Sequence, residues 1–199
     1  MLVSNKILQS SALTALFLLF FLSPVKAADM PVYKKVGVWD IRVDTSMSNG
    51  CFAITSFEGD SVFRMGFNPE SDNMYVVIGD PSWKSIDVGK SYDVDIQFGD
   101  EEKWSGDATG FEFSEEVDSA YLWLNIPSKN MSLFLDEYMR EHSVRLFYQN
   151  NQILHLRLNG SYKAGVALME CQKMFKSKDS ASDPFTAPSS SRKSDPFAL

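Results

Sequence analysis

The side chains most able to do chemistry in this sequence are two histidines, His142 and His155, and several groups of carboxylates. The sequence has no Gly-x-Ser-x-Gly nucleophile turn, no phosphate-binding glycine loop and no His-Glu-x-x-His zinc helix. It therefore assigns no catalytic, cofactor-binding or metal-binding residue and predicts no cofactor. Two carboxylates facing one cleft can act as an acid–base pair, and the candidates are Asp93 with Asp95, Glu101 with Glu102, and Glu115 and Glu116 with Asp118.

The composition is typical of a folded, acidic protein. Hydrophobic residues make up 44% of the 199 residues and charged residues 23%, which excludes a wholly disordered chain or a coiled coil. The net charge is −7 and the isoelectric point is about 4.8. Because an acidic protein repels phosphate groups, nucleic acid is not an expected partner.

The N-terminus has the features of a secretory signal peptide. Lys6 supplies a positive charge, residues 12–22 are apolar, and Val25 and Ala27 stand at the −3 and −1 positions of a cleavage site. A signal anchor is the alternative, but the apolar run is shorter than the roughly 18–20 residues that a bilayer span needs. The sequence predicts that residues 1–27 are removed and that the mature protein is soluble, periplasmic or secreted, without stable membrane insertion.

The two cysteines, Cys51 and Cys171, both lie in the predicted mature chain. In an oxidising compartment two cysteines permit a single connectivity. The bridge would close a loop of roughly 120 residues and stabilise the fold by about 4–5 kcal/mol in the chain-entropy model. Two buried free thiols are the alternative.

Short segments with alternating apolar residues predict a mainly antiparallel β fold, either a sandwich or a barrel. The predicted strands are residues 39–43, 51–57, 62–67, 75–78, 92–98, 104–113 and 121–126, and a hairpin of residues 144–149 and 152–158 around Asn150 and Asn151. One domain is expected over residues 32–175.

Two segments have helical spacing instead. The first contains apolar residues at 131, 134, 135, 138 and 139, with Ser128 or Asn130 as the expected N-cap. The second contains apolar residues at 164, 167, 168, 171 and 175, after Gly160 and Ser161. Because Cys171 falls on this apolar stripe, a bond to Cys51 would attach the last helix to a core strand.

Residues 176–199 are rich in Ser, Ala, Asp and Pro and are predicted to be disordered. The segment contains the tetrapeptide Ser-Asp-Pro-Phe twice, ending at Phe185 and Phe197. These two residues are either exposed anchors of a docking motif or part of a solvated tail with a chance repeat. Trp83, in the turn-like stretch Asp-Pro-Ser-Trp-Lys, is a third candidate for an exposed interaction residue.

The segment from Leu156 to Ala164, together with Cys171-Gln172, resembles a pattern found in small exported bacterial proteins of unassigned activity. Trp39 ahead of Gly50-Cys51, Pro81-Ser-Trp83 and the turn at residues 89–92 extend the resemblance to residues 36–174. The Gly-Ser-x-x-Ala ending is also similar to the invasion-associated locus B family, whose usual additional cysteines are missing here. The resemblance implies export but transfers no functional residue.

These features predict an exported protein of the cell envelope that acts as a non-enzymatic binding or interaction module. The expected partner is an envelope protein or a small ligand, whose identity the sequence leaves open. The alternative hypothesis is a hydrolase that acts on an envelope polymer through paired carboxylates.

Overall fold

A computed structural model describes residues 30–112 and 121–179 of the chain. The predicted signal peptide, the carboxylates at 115, 116 and 118, and the tail residues Phe185 and Phe197 lie outside the described residues.

The described residues form one ten-stranded antiparallel sheet and two α-helices, which confirms the predicted fold class. The strand order is β1-β2-β3-β4-β5-β8-β7-β6-β9-β10. The strands are β1 (Val32–Val36), β2 (Trp39–Asp44), β3 (Gly50–Ser56), β4 (Val62–Asn68), β5 (Asn73–Gly79), β6 (Ser91–Phe98), β7 (Trp104–Phe111), β8 (Tyr121–Ile126), β9 (Ser143–Tyr148) and β10 (Asn151–Arg157). The helices are α1 (Ser128–Arg140) and α2 (Ser161–Asp179).

The sheet curves so that its two halves face each other across the main core. The ring of Tyr138, on α1, lies 6.0 Å from that of Phe63 on β4 and 6.4 Å from that of Phe98 on β6. These two strands belong to opposite halves of the strand order. Within the described ranges β1 pairs only with β2 and β10 only with β9, so the sheet is open and sandwich-like.

The two ends of the strand order nevertheless lie close together. The indole Nε1 of Trp39, at the start of β2, donates a hydrogen bond of 2.9 Å to the carbonyl oxygen of Asn159, just after β10. Trp39 is 1% exposed, so this bond satisfies a buried donor that would otherwise be costly.

The helix α2 covers the strands β1, β2 and β3. Its buried residues follow the predicted stripe, with Ala164, Ala167, Leu168 and Cys171 in the core. A disulfide joins Cys51 on β3 to Cys171, with their Cα atoms 6.0 Å apart, as predicted. The next side chain, Gln172, accepts a 2.8 Å hydrogen bond from the backbone N–H of Cys51. The helix is therefore fixed to the sheet by a covalent bond and by a buried polar contact.

Two local predictions are wrong. The N-cap of α1 is Pro127, and both Ser128 and Asn130 lie inside the first turn, where the N–H of Asn130 donates to the carbonyl of Pro127. The β9–β10 turn is formed by Gln149 and Asn150, both with positive φ, whereas Asn151 already pairs with Tyr148. The Asn151–Tyr148 pair closes a two-residue loop at residues 149 and 150, one position earlier than the asparagine pair indicated.

Candidate functional site

Alternation along β2, β3 and β4 produces a second, outward-facing surface. Ile41, Ala53 and Phe63 point into the core, so the neighbouring Arg42, Phe52 and Arg64 point to the other face. A cavity of about 750 Å³ lies on that face. We call it the outer groove; its lining residues are Met30, Lys35, Val38, Asp40, Arg42, Phe52, Ile54, Thr55, Ser56 and Arg64.

The floor of the outer groove contains a buried ion pair. Nη2 of Arg64 lies 2.6 Å from Oδ2 of Asp44, and the two side chains are only 3% and 4% exposed. The hydroxyl oxygen of Tyr75 accepts two further hydrogen bonds from Arg64, from Nε at 2.9 Å and from Nη2 at 2.6 Å. Asp44 also accepts hydrogen bonds from the backbone N–H and the hydroxyl of Ser46. These partners compensate the desolvation of both charges.

The same contacts set the protonation states on the floor. Burial alone would raise the pKa of Asp44, but hydrogen bonds from Ser46 and Arg64 outweigh it and lower that pKa. Burial raises the pKa of Tyr75 to about 12, against the opposing effect of Arg64. At neutral pH Asp44 is therefore ionised and Tyr75 is a neutral phenol.

Aromatic rings surround the guanidinium of Arg64. Its Cζ lies 3.7 Å from the ring centroid of Phe52, a cation–π contact. Tyr75 stacks on Trp123 at a centroid distance of 4.2 Å. Phe52, Tyr75 and Val77 form a separate buried apolar cluster on this outer face. The outer face of β3–β5 thus has an apolar layer of its own.

The rim of the outer groove carries two more cations and a single carboxylate. Oδ1 of Asp40 lies 3.2 Å from Nζ of Lys35, and Oδ2 lies 2.8 Å from Nη2 of Arg42. The hydrogen bond from Arg42 is the largest cause that lowers the pKa of Asp40. Nε of Arg42 is buried and has no hydrogen-bond partner among the described residues. The rim therefore carries a net positive charge.

The chemistry of the outer groove suits binding. Its hydroxyl side chains are Thr55, which donates to the carbonyl of Val38, and Ser56. Neither histidine nor cysteine is among its described lining residues. A hydroxyl needs an adjacent base to act as a nucleophile, so the arrangement offers charge and apolar contact without an activated nucleophile.

Trp83 lies in the segment between β5 and β6 and is half-buried, whereas exposure was expected. The carboxylate of Asp80 fixes this turn by accepting hydrogen bonds from Ser82 and from Ser61. Trp83 lines a smaller pocket of about 160 Å³ together with Ser85, Ile86, Tyr92, Leu122, Tyr148 and Ile153. That volume is close to the roughly 150 Å³ of a cavity that holds one benzene ring.

The described carboxylates singled out in the sequence are exposed or half-buried, and two of them, Asp95 and Glu101, have cationic partners. Asp95 accepts a hydrogen bond from the hydroxyl of Ser105 and pairs with Lys103, and the Ser105 bond is the first cause of its lowered pKa. Asp93 is exposed, and Glu101 pairs with Arg140. A carboxylate held ionised by such partners is a poor proton donor.

Sequence reasoning missed Glu137, on α1. It is 5% exposed, and its Oε2 accepts a 2.6 Å hydrogen bond from the indole Nε1 of Trp104. Burial raises the pKa of Glu137 above the ordinary glutamate value, despite the opposing effect of Trp104. A signal was present, because Glu137 follows Phe134 by three residues and so falls on the apolar face of the helix.

His155 lines a polar cleft of about 450 Å³ between the ends of α1, β6 and β9. The other lining residues are Gly99, Asp100, Glu101, Glu141, Ser143 and Arg145. In the part of the chain that the structure describes, no group of three or more His, Cys, Asp or Glu side chains is placed to hold a metal ion.

Comparison of the chain with protein-family models, with curated proteins and with solved structures gives no match. The resemblance to small exported bacterial proteins and to the invasion-associated locus B family therefore stays a prediction. Neither described helix is both long and apolar enough to cross a bilayer.

Proposed function

We propose that this chain is an exported envelope protein, periplasmic or secreted, whose folded domain acts as a non-enzymatic binding module. The outer groove is its binding site. The observation that carries the proposal is the groove itself, about 750 Å³ in volume and lined by three cations, one carboxylate and apolar side chains. Small-molecule sites typically have volumes of about 300–1,000 Å³, so the groove is of a suitable size, and its four apolar residues lie beside charged and hydroxyl side chains.

Export is supported by two independent features. The N-terminal 27 residues have the pattern of a signal peptide. The Cys51–Cys171 disulfide belongs to the chemistry of oxidising compartments, such as the periplasm and the extracellular space. Both features fit a protein that folds after it has left the cytoplasm.

The proposal is tested by affinity capture from the native envelope, with matched groove and control variants of the mature protein. Arg42 and Lys103 each pair with one aspartate, and both side chains are 37% exposed. Arg42→Gln removes a positive charge from the groove, whereas Lys103→Gln removes one from the loop between β6 and β7. We expect the Arg42 variant to lose the captured component and the Lys103 variant to retain it. Equal capture by both variants would place the binding outside the groove.

The alternative, a hydrolase acting on an envelope polymer, is favoured by one observation. Burial raises the pKa of Glu137, as a general acid requires. The test is release of soluble fragments from isolated envelope polymer by the wild type, by Glu137→Gln and by Glu102→Gln, an exposed control. We expect no release above buffer. Release that only the Glu137 variant lacks would favour the hydrolase.

A further inference from the structure

The outer groove concentrates positive charge on an acidic protein. Lys35, Arg42 and Arg64 line it against one carboxylate, Asp40, while the whole chain has a net charge of −7. Arg64 is balanced by Asp44 below the floor. Lys35 and Arg42 share Asp40, so one positive charge at the rim is not compensated within the groove. An anionic group is therefore attracted to this uncompensated charge, whereas the chain as a whole carries a net negative charge.

Four of the ten lining residues are apolar. Phe52 and Ile54 stand next to each other on the outer side of β3, and Val38, at the β1–β2 turn, is 65% exposed. Met30 completes the apolar part of the lining. Covering exposed apolar area contributes about 25 cal/mol per Å², so a hydrocarbon chain lying here gains free energy with each methylene.

Charged and apolar side chains line the same groove. On β2 and β3 they belong to the residues that alternate with those pointing into the core. A purely ionic ligand would leave Val38 and Ile54 uncovered, and a neutral apolar ligand would leave the rim charge without a partner. Only a molecule with both parts satisfies the whole lining.

We infer that the outer groove binds an anionic amphiphile, a hydrocarbon chain with a carboxylate or phosphate head. This inference rests on the proposed function and specifies its ligand class. The head lies between Lys35 and Arg42 and pairs with their positive charges. The chain lies along Val38, Ile54 and Phe52.

The test uses laurate below its micelle concentration, titrated into the mature protein and followed by calorimetry and by amide chemical shifts. Dodecyl phosphate distinguishes a phosphate head from a carboxylate head. Dodecyl maltoside and dodecyltrimethylammonium supply the same chain with a neutral or cationic head, and butyrate supplies the anion with little chain. We expect one laurate or dodecyl phosphate per protein, shifts confined to β1–β4, and much weaker binding of the three controls.

Two pairs of variants separate the contributions of head and chain. Arg42→Gln should weaken laurate binding about three- to tenfold and reduce its salt dependence, whereas Lys103→Gln should leave both unchanged. Ile54→Ser should weaken binding, whereas Leu133→Ser, at an exposed position on α1, should not. Equal affinity for laurate and dodecyl maltoside, or equal effects within either pair, would overturn the inference.

The outcomes distinguish this inference from the proposed function. If laurate and dodecyl phosphate fail to bind while Arg42→Gln still abolishes capture of an envelope component, only the ligand class is wrong. If neither amphiphile binds and both Arg42→Gln and Lys103→Gln capture the same material as the wild type, the outer groove is not the binding site, and that part of the proposed function fails as well.

Discussion

Arg64 and Asp44 are 20 residues apart in sequence, yet Nη2 of the guanidinium and Oδ2 of the carboxylate are separated by 2.6 Å beneath the outer groove. The pair connects the last residue of β2 to the middle of β4, across β3. Its position is fixed by strand pairing, and its charges are satisfied by Tyr75 and Ser46. The stability of the groove therefore depends on both charges being present together.

Removal of one member of this pair should be strongly destabilising. Arg64→Met leaves the Asp44 carboxylate buried without its cation, and we expect a loss of about 3–5 kcal/mol in the free energy of unfolding measured with urea. Replacement of both residues, Arg64→Met with Asp44→Leu, should lose less, because no charge remains buried. Lys90→Gln, which removes an exposed pair with Asp87, is the control and should leave the unfolding midpoint unchanged. A loss as large in this control would mean that net charge, and not the buried pair, determines stability.

The disulfide should account for a large share of the stability. Cys51 and Cys171 are separated by 120 residues in sequence, so Cys51→Ala with Cys171→Ala should cost about 4–5 kcal/mol in the chain-entropy model. Urea unfolding of the wild type and of the double variant measures the difference, and mass analysis after alkylation of unfolded, unreduced protein checks the bond. Two alkylated thiols in the exported wild type would refute the disulfide in that compartment.

Glu137 should make the protein less stable as the pH rises. Burial raises the pKa of Glu137 in the folded state above its ordinary value of 4.5. At pH values between 4.5 and the raised pKa of the folded state, the unfolded chain binds fewer protons than the folded one. The free energy of unfolding therefore falls as the pH increases through this window. Glu137→Gln keeps an acceptor for Trp104 and removes the ionisation.

We therefore expect Glu137→Gln to be more stable than the wild type at pH 7, with a difference that shrinks as the pH falls towards 4.5. Urea unfolding of both proteins between about pH 4.5 and pH 7 measures this difference in stability. The aspartates whose pKa values are lowered, such as Asp40 and Asp95, are present in both proteins and cancel in the difference. A difference that does not vary with pH would show that ionisation of Glu137 is not its cause.

The tail should be separable from the folded domain. Residues 180–199 follow the last described residue of α2, and they contain both Ser-Asp-Pro-Phe copies. We expect a chain ending at Asp179 to keep the melting temperature of the full mature protein. Capture of any partner that docks on the repeats should weaken, and Phe185→Ala with Phe197→Ala should reproduce that loss, since two linked motifs gain from avidity. Full capture by the double alanine variant would leave the repeat without a role.

Strands with one face in the core were predictable from sequence, because Trp39, Ile41 and Val43 alternate with polar residues. The edge strand β1 was not predicted. Its residues, Val-Tyr-Lys-Lys-Val, are exposed or half-buried, so the strand does not need the alternation of apolar and polar residues that marks a core strand. Lys35 nevertheless reaches the outer groove from this strand.

The outer groove could not be found from sequence for a related reason. Arg64 and Asp44 look like ordinary outward-facing residues of two strands, and their burial depends on the aromatic layer of Phe52, Tyr75 and Trp123. That layer exists only once β3, β4, β5 and β8 have paired. Sequence periodicity assigns each side chain to a face, but the depth of burial on the second face is a property of the assembled sheet.

The contact between Trp39 and Asn159 has a consequence for the order in which the molecule acquires its structure. The strands β2 and β3, near the N-terminus, complete their packing only when residues 159–172 have folded against them. Trp39 and Cys51 contact these residues, and most of them belong to the covering helix α2. Contacts of such long sequence separation slow folding, since loop closure precedes any gain from packing. A chain emerging N-terminus first from a translocation channel would therefore complete this core only after its last helix had emerged.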